Sequence, residues 1–264
     1  MKQIRVGVMG ACGKMGQEIC KAVFDDPDLE LIAAIDVINQ GYKLGHLIGR
    51  PIEVCIETNL NEVLQNQNLD VIVDFTNAQA LLNNAPKVIK NGVNLVIGTT
   101  GLSEDEVNNL KVLAEEKKVG IFIAPNFAIG AILMMKFAKE AARYLPNVEI
   151  IEKHHDQKLD APSGTAIKTL EEITKVRQPQ QQGNPKEYEK ISGVRGGDYQ
   201  GIKIHSMRLP GLIAHQEVIF GGIGQTLTIK HDSLTRESFM PGIVLACKKV
   251  ITWQGLKYGL ETIL

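Results

Sequence analysis

A glycine-rich turn at residues 10–16 constrains the fold of this chain more than any other sequence feature. Three glycines, Gly10, Gly13 and Gly16, follow the apolar segment Ile4–Met9 and open a helical pattern. Here they permit a tight turn, let a pyrophosphate approach the backbone and allow close helix packing, although the first spacing departs from G-x-G-x-x-G. The turn therefore predicts a dinucleotide whose phosphates lie at a helix N-terminus. The residues expected to line it are Gly10, Ala11, Cys12, Gly13, Lys14, Met15 and Gly16.

An acidic residue, Asp36, ends the second apolar segment of the chain, where a carboxylate can accept hydrogen bonds from the adenosine ribose. Val37 follows it, so the arginine that often holds the 2′-phosphate of NADP is absent, although Lys14 or Lys43 could substitute. We therefore expect NADH, NADPH or both as cofactor, with NADH favoured. The alternative is a glycine turn and a solvated aspartate that bind no ligand.

The pattern of apolar segments changes near Pro125. Before it, short apolar segments alternate with helical patterns, which is typical of a parallel sheet wrapped by helices. After it, a long helical pattern and a motif-dense loop precede three alternating segments of an open sheet, and a final helical pattern over 239–253 could return to the first part. The expected fold class is α/β, a Rossmann-type dinucleotide-binding domain plus an α+β substrate-binding and oligomerisation domain with an open mixed sheet. The expected domains are 1–126, completed by 236–264, and 127–235.

Charge and cysteine usage narrow the classes of partner. The net charge of −1 gives no overall field for nucleic acid or an anionic membrane, so we expect neither partner. The longest apolar segment, Ile129–Met135, is too short to span a bilayer, and the amino terminus lacks a signal-peptide pattern. The four cysteines form no C-x-x-C pair, which favours a reducing, cytoplasmic compartment. Cys12 is either a small residue tolerated in a turn or a reactive thiol.

The segment 152–165, at the end of the second domain's first strand, contains several side chains that can bind or react with a substrate. His154, His155 and Lys158 offer a proton donor near neutral pH and a cation, and Ser163 opens a helix whose amides can bind a carboxylate. These groups suit an anionic substrate. A metal site and an N-cap without a ligand are the alternatives, but the remaining histidines close no zinc pattern, so we expect no metal.

These segments together resemble the 4-hydroxy-tetrahydrodipicolinate reductase family, also called dihydrodipicolinate reductase, of lysine biosynthesis. The resemblance covers essentially the whole chain, and the stretch His154-His155-x-x-Lys158-x-Asp-Ala-Pro-Ser-Gly-Thr165 is its most specific part. It also includes the segments 98–101, 124–127, 208–211, 215–218 and 236–239. The chain departs from some relatives at Gln157, where they carry a third basic residue.

The resemblance implies roles for individual residues. His154 and Lys158 would be the catalytic pair. The residues implied to hold the two substrate carboxylates are His155, Lys158, Ser163, Gly164 and Thr165. The residues implied to meet the nicotinamide side of the cofactor are Gly98, Thr99, Thr100, Gly101, Ala124, Asn126 and Phe127.

The implied reaction is an NAD(P)H-dependent reduction of a small cyclic dicarboxylate, the hydroxylated precursor of tetrahydrodipicolinate, in the diaminopimelate pathway. The family also implies a homotetramer built through the second domain's sheet. Two rival interpretations are a two-domain dehydrogenase of an amino-acid or sugar-acid substrate and a nicotinamide-sensing regulator. The first would lack the His-His-x-x-Lys pattern, and the second usually carries a DNA-binding or partner module.

Overall fold

The chain divides into two units in a computed structural model that describes residues 2–264. The first comprises the chain up to Phe127 together with Arg236–Leu264, and the second comprises Ala128–Thr235. The first unit ends at Phe127 rather than at residue 126. The reason is packing, since the Phe127 ring centroid lies 5.6 Å from that of Phe75 and 5.9 Å from that of Phe122.

Strands and helices alternate from the start of the first unit, which confirms the predicted α/β class. In chain order they are β1 (Ile4–Met9), α1 (Lys14–Asp25), β2 (Leu29–Ile35), α2 (Leu44–Ile48), β3 (Ile56–Glu57), α3 (Leu60–Asn66), β4 (Val71–Asp74), α4 (Ala78–Lys90), β5 (Asn94–Ile97), α5 (Glu104–Lys117) and β6 (Gly120–Ile123). The sequence did not predict α2, β3 and α3, because elements of five, two and seven residues are too short to show a period.

The second unit is α+β, as predicted. Its elements are α6 (Ile129–Ala141), β7 (Asn147–His154), α7 (Gly164–Thr174), β8 (Gly197–Tyr199), β9 (Ile202–Arg208), β10 (Ala214–Gly222) and β11 (Gln225–Ser233). The five strands form one sheet in the order β11-β10-β7-β9-β8. Only β7 and β9 pair in parallel, so the sheet is mixed. Side chains of α6 and α7 form one apolar core with the side chains of β7, β9 and β10 that point to the same face.

The chain then returns to the first unit through a 3₁₀ helix (Arg236–Phe239), helix α8 (Met240–Val250) and strand β12 (Gly255–Tyr258). Strand β12 completes a sheet of seven strands in the order β12-β6-β5-β4-β1-β2-β3, and every pair in it is parallel. All carboxyl ends therefore lie at one edge. The strand order reverses between β1 and β4, and ligands of such sheets bind outside the carboxyl ends at that point. Of the helices formed by residues 2–264, none is long and apolar enough to cross a membrane.

Candidate functional site

A cavity of about 580 Å³ lies in the first unit at the carboxyl ends of β1, β2 and β4. This is the point where the strand order reverses, so its place agrees with the general position of ligands in doubly wound sheets. The residues that line it are Met9, Gly10, Cys12, Gly13, Ile35, Asp36, Val37, Ile38, Thr58, Asn59, Leu60, Asn61, Phe75, Thr76, Asn77, Ala80, Asn84 and Lys87.

The turn between β1 and α1 can be built only with glycine at two positions. Gly10 has a φ of +82°, and a Cβ there would lie 2.5 Å from the carbonyl oxygen of Phe75. A Cβ at Gly16 would lie 1.9 Å from the carbonyl oxygen of Gly10, so helix α1 packs directly on the turn. Gly13 is the N-cap of α1 and forms no side-chain capping bond. The first-turn amides of α1 thus lie beside the cavity and fit a phosphate.

Asp36 follows β2 and lines the same cavity. Its Oδ2 accepts a hydrogen bond from the Cys12 amide at 2.8 Å, and its Oδ1 accepts one from the Val37 amide at 2.7 Å. The carboxylate therefore ties the glycine-rich turn to the end of β2. Val37 is 90% exposed, and the ammonium of Lys43 lies 2.5 Å from Glu53. The structure thus pairs one of the two lysines considered for a 2′-phosphate with a carboxylate.

The expected nicotinamide residues follow β5, which is next to β4 in the sheet, and β6, which is next to β5. They do not line the cavity described above. A Cβ at Gly98 would lie 2.0 Å from the Phe75 ring, so glycine is needed there. The hydroxyl of Thr99 donates to Asp74 at 2.5 Å and accepts from the amide of Thr76 at 2.9 Å.

Asp74 is a buried residue that the sequence analysis missed. Its side chain is inaccessible to solvent, Oδ1 accepts from Thr76 as well as Thr99, and Oδ2 has no partner among residues 2–264. Burial raises the pKa of this carboxyl above its usual value, although the threonine hydrogen bonds oppose the rise. It joins the segment after β4 to the segment after β5. A charged residue at the end of an apolar strand was the available signal.

The second group of expected site residues lies in the second unit, in the loop between β7 and α7 and at the start of α7. His154 is the last residue of β7, and its Nδ1 lies 2.5 Å from Oε2 of Glu152. Glu152 also accepts two hydrogen bonds from Arg208, at 2.8 Å and 3.0 Å. Burial alone would raise the pKa of Glu152, but hydrogen bonds from His154, Arg208 and Ser206 hold it at about 2.

Lys158 and His155 share this loop. The Lys158 ammonium lies 2.7 Å from Asp160, and this contact lowers the pKa of the Asp160 carboxyl. The lysine side chain is 21% exposed, whereas the aspartate is 64% exposed. His155 is exposed, and its carbonyl accepts from the Lys158 amide at 3.2 Å. The peptide bond between Ala161 and Pro162 is cis.

Ser163, Gly164 and Thr165 lie at the start of α7. Ser163 is buried and caps the helix, since its hydroxyl accepts from the Ala166 amide at 3.3 Å. A Cβ at Gly164 would have open space around it. The helix N-terminus adjoining the Lys158 loop carries positive dipole charge and can accept a carboxylate. Among residues 2–264, no group of three His, Cys, Asp or Glu residues is arranged to hold a metal ion.

Comparisons with known proteins agree over the whole chain. Residues 4–127 match the model of the dihydrodipicolinate reductase N-terminus, and residues 130–264 match that of its C-terminus. The chain is 58% identical to the 4-hydroxy-tetrahydrodipicolinate reductase of Syntrophomonas wolfei and 56% identical to that of Desulfitobacterium hafniense, in each case over 100% of both chains. A solved dipicolinate-bound dihydrodipicolinate reductase from Paenisporosarcina sp. TG-14 matches with a TM-score of 0.88 at 47% identity, covering 99% of this chain and 100% of that one.

Proposed function

The chain belongs to the dihydrodipicolinate reductase family, and we propose that residues 154–165 form the site where it reduces 4-hydroxy-tetrahydrodipicolinate to tetrahydrodipicolinate. It is a nicotinamide-dependent oxidoreductase of diaminopimelate and lysine biosynthesis. The proposed site rests on one observation: this segment combines a histidine held by a buried carboxylate, a lysine and a helix N-terminus. These are a proton donor, a cation and a set of backbone amides that can bind a carboxylate.

The test of this function follows the absorbance of NADH while the freshly generated lysine-pathway intermediate is added. We expect oxidation of NADH that depends on both the enzyme and the intermediate. A dehydrogenase of another substrate, or a regulator that binds the cofactor without turnover, would leave the absorbance constant. Either outcome would contradict the proposed site and reaction together.

Substrate binding is proposed to use both charge and helix polarity. The side chains of His155 and Lys158 neutralise the dicarboxylate, and Ser163, Gly164 and Thr165 place the α7 N-terminus against one carboxylate. Charged donors and a helix N-terminus are the usual partners of a carboxylate. The small dicarboxylate in the Paenisporosarcina structure belongs to the same chemical class.

A nicotinamide cofactor, when bound, would supply the hydride for the conjugated carbon of the cyclic imine that forms when the substrate loses water. Lys158, a cation near the ring nitrogen and a carboxylate, stabilises the electron pair that moves toward the ring. His154 donates the proton that completes the reduction, from Nε2, because Nδ1 contacts Glu152. The cofactor is proposed to bind through the glycine-rich turn, Asp36 and the segments after β5 and β6.

Substituting Thr165 by valine is expected to raise the KM for the substrate by roughly 10- to 100-fold, with little change in kcat. The substitution removes a hydroxyl proposed to bind a charged carboxylate but not to react. Steady-state kinetics measures the change. Thr174→Val is a matched control, because that hydroxyl donates to the backbone at the other end of α7. An unchanged KM in Thr165→Val would argue against a carboxylate site at this helix end.

We propose that NADH is used at least as readily as NADPH. The carboxylate of Asp36 lines the cavity at the expected ribose position and would repel a 2′-phosphate. Val37 carries no charge, and Lys43 is paired with Glu53.

Substituting Asp36 by asparagine is therefore expected to lower the ratio of kcat/KM for NADH over that for NADPH by about tenfold. The asparagine keeps an oxygen that can accept the Cys12 amide, so the turn is preserved. Asp28→Asn is the control, because Asp28 lies just before the other end of β2. A wild-type preference for NADPH, or an unchanged ratio in Asp36→Asn, would overturn the assignment.

We also propose a homotetramer built through the sheet of the second unit. Helices α6 and α7 pack on one face of that sheet. The opposite face carries paired charges, including Lys153 with Glu217 at 2.6 Å, and β11 is largely exposed. A sheet face and an edge strand of this kind are commonly covered by another subunit. A cytoplasmic location stays a prediction.

A further inference from the structure

We infer that Glu152 and Arg208 position His154 for proton transfer and tie its orientation to the loop that carries Lys158. This inference rests on the proposed function, since it gives His154 a partner rather than a new reaction. Glu152 lies two residues before His154 on β7, so both side chains lie on the same face of the strand. Its carboxylate is inaccessible to solvent and contacts Nδ1 of His154 at 2.5 Å.

The charge of Glu152 fixes the direction of that hydrogen bond. With a pKa of about 2, Glu152 is ionised at neutral pH and can only accept hydrogen bonds. Nδ1 of His154 must therefore carry the hydrogen. The proton that His154 gives to the substrate is then the one on Nε2, and the neutral ring that remains carries its hydrogen on Nδ1. A carboxylate behind a histidine has this orienting role in other enzymes.

Arg208 connects the pair of Glu152 and His154 to the loop that carries Lys158. On β9, Arg208 stands in register with His154, and its Nη1 and Nη2 both donate to Glu152. The same Nη2 donates to the carbonyl oxygen of Asp160 at 2.7 Å, and the side chain of Asp160 contacts Lys158 at 2.7 Å. One guanidinium thus compensates the buried carboxylate and anchors the loop backbone two residues after Lys158.

A second contact holds the same geometry. The carbonyl oxygen of His154 accepts a hydrogen bond from the amide of Leu209, the residue after β9, at 3.1 Å, so the backbone of His154 is fixed as well as its ring. Glu152 and Arg208 are therefore positioning residues, which we do not expect to touch the substrate. Their loss should lower the rate of proton transfer and leave substrate binding intact.

The test is a double-mutant cycle in the full-length enzyme. Glu152→Gln is expected to lower kcat by about 10- to 100-fold, part of the roughly 10²- to 10⁴-fold that a positioned proton donor contributes, with an unchanged dissociation constant for dipicolinate. In the His154→Ala background the same substitution should have no further effect on kcat. A full additional loss in that background would overturn the inference, because Glu152 would then act independently of His154.

The wild-type activity and the His154→Ala variant separate this inference from the proposed function. If the wild type does not turn over, the proposed function fails, and if His154→Ala keeps the wild-type kcat, the role of His154 as proton donor fails. If His154→Ala loses activity while Glu152→Gln keeps it, only the positioning role fails. Glu172→Gln is the matched control, because its carboxylate in the same unit also has a pKa of about 2, held by Lys139 and Lys175. This control should keep the wild-type kcat.

Glu152→Asp covers the case in which Glu152→Gln fails to fold beside an uncompensated Arg208. It keeps the charge but draws the carboxylate back from Nδ1, so kcat should fall while thermal stability is largely kept. Nitrogen NMR of ¹⁵N-histidine-labelled protein gives a readout independent of turnover. The wild type should show hydrogen on Nδ1 of neutral His154, and Glu152→Asp should show a mixture of tautomers. Hydrogen on Nε2 in the neutral wild type would overturn the inference.

Discussion

Replacing Lys158 by alanine is expected to lower kcat by about 10² to 10⁴-fold while leaving the affinity for NADH unchanged. The ammonium is proposed to stabilise charge that reaches the substrate ring only as the hydride arrives, so its loss acts on the transition state. Its partner Asp160 is largely exposed, so a substrate carboxylate can take the place of that contact. Steady-state kinetics and a separate titration with NADH measure the two quantities.

Lys168→Ala is the control for this experiment. That lysine lies on α7 in the same unit, is 48% exposed and pairs with Glu171 and Glu172, so its removal changes the net charge equally. We expect its kcat to match the wild type, because ion pairs between exposed side chains contribute little. A loss of NADH affinity as large as the loss of kcat in Lys158→Ala would show that Lys158 acts on the cofactor, contrary to the proposed role.

The sequence predicts those parts of the fold in which only certain residue types fit the backbone or the packing. Gly10 and Gly16 have to be glycine, because a Cβ at either would collide with a backbone oxygen. The alternation of apolar strands and amphipathic helices gave the parallel sheet, since buried parallel strands are continuously apolar. The spacing of Ser103 and Glu106 indicates a capping box, and the structure has one at the start of α5, where Ser103 accepts from the Glu106 amide at 3.3 Å.

The buried charges were not predictable, because their partners are distant in sequence. Glu152 is bound by Arg208, 56 residues away, and Asp74 is bound by Thr99, 25 residues away. One local signal was available for Glu152. It continues the alternation of Val148 and Ile150 on β7, so a charged residue occupies a position that faces the core. Such a residue needs a compensating cation, but only the strand pairing shows which arginine provides it.

The role of Asp36 shows a different limit of sequence interpretation. Its position after β2 predicted a ribose ligand, and the structure places it at the cavity. The structure adds that its carboxylate already holds the Cys12 amide at 2.8 Å. A strand-end aspartate can therefore shape the glycine-rich turn in addition to the ribose contact that its position predicts. A spacing rule describes only the second of these roles.

Replacing His154 by alanine is expected to lower kcat by about 10² to 10⁴-fold with a small change in the KM for the substrate. Without the imidazole, the proton that completes the reduction has to come from water. The variant also leaves Glu152 and Arg208 paired with each other, so the buried charge stays compensated. Steady-state kinetics measures the effect, and thermal unfolding checks that the second unit keeps its stability.

A second histidine–glutamate pair in the same sheet is the control for this prediction. Nε2 of His205 on β9 lies 2.9 Å from Oε2 of Glu149 on the neighbouring strand β7. Glu149 is 31% exposed and lies near the opposite end of β7 from His154, whereas Glu152 is inaccessible. His205→Ala should therefore keep the wild-type kcat. Equal losses in the two variants would mean that the sheet tolerates neither substitution, and the assignment of His154 as proton donor would fall.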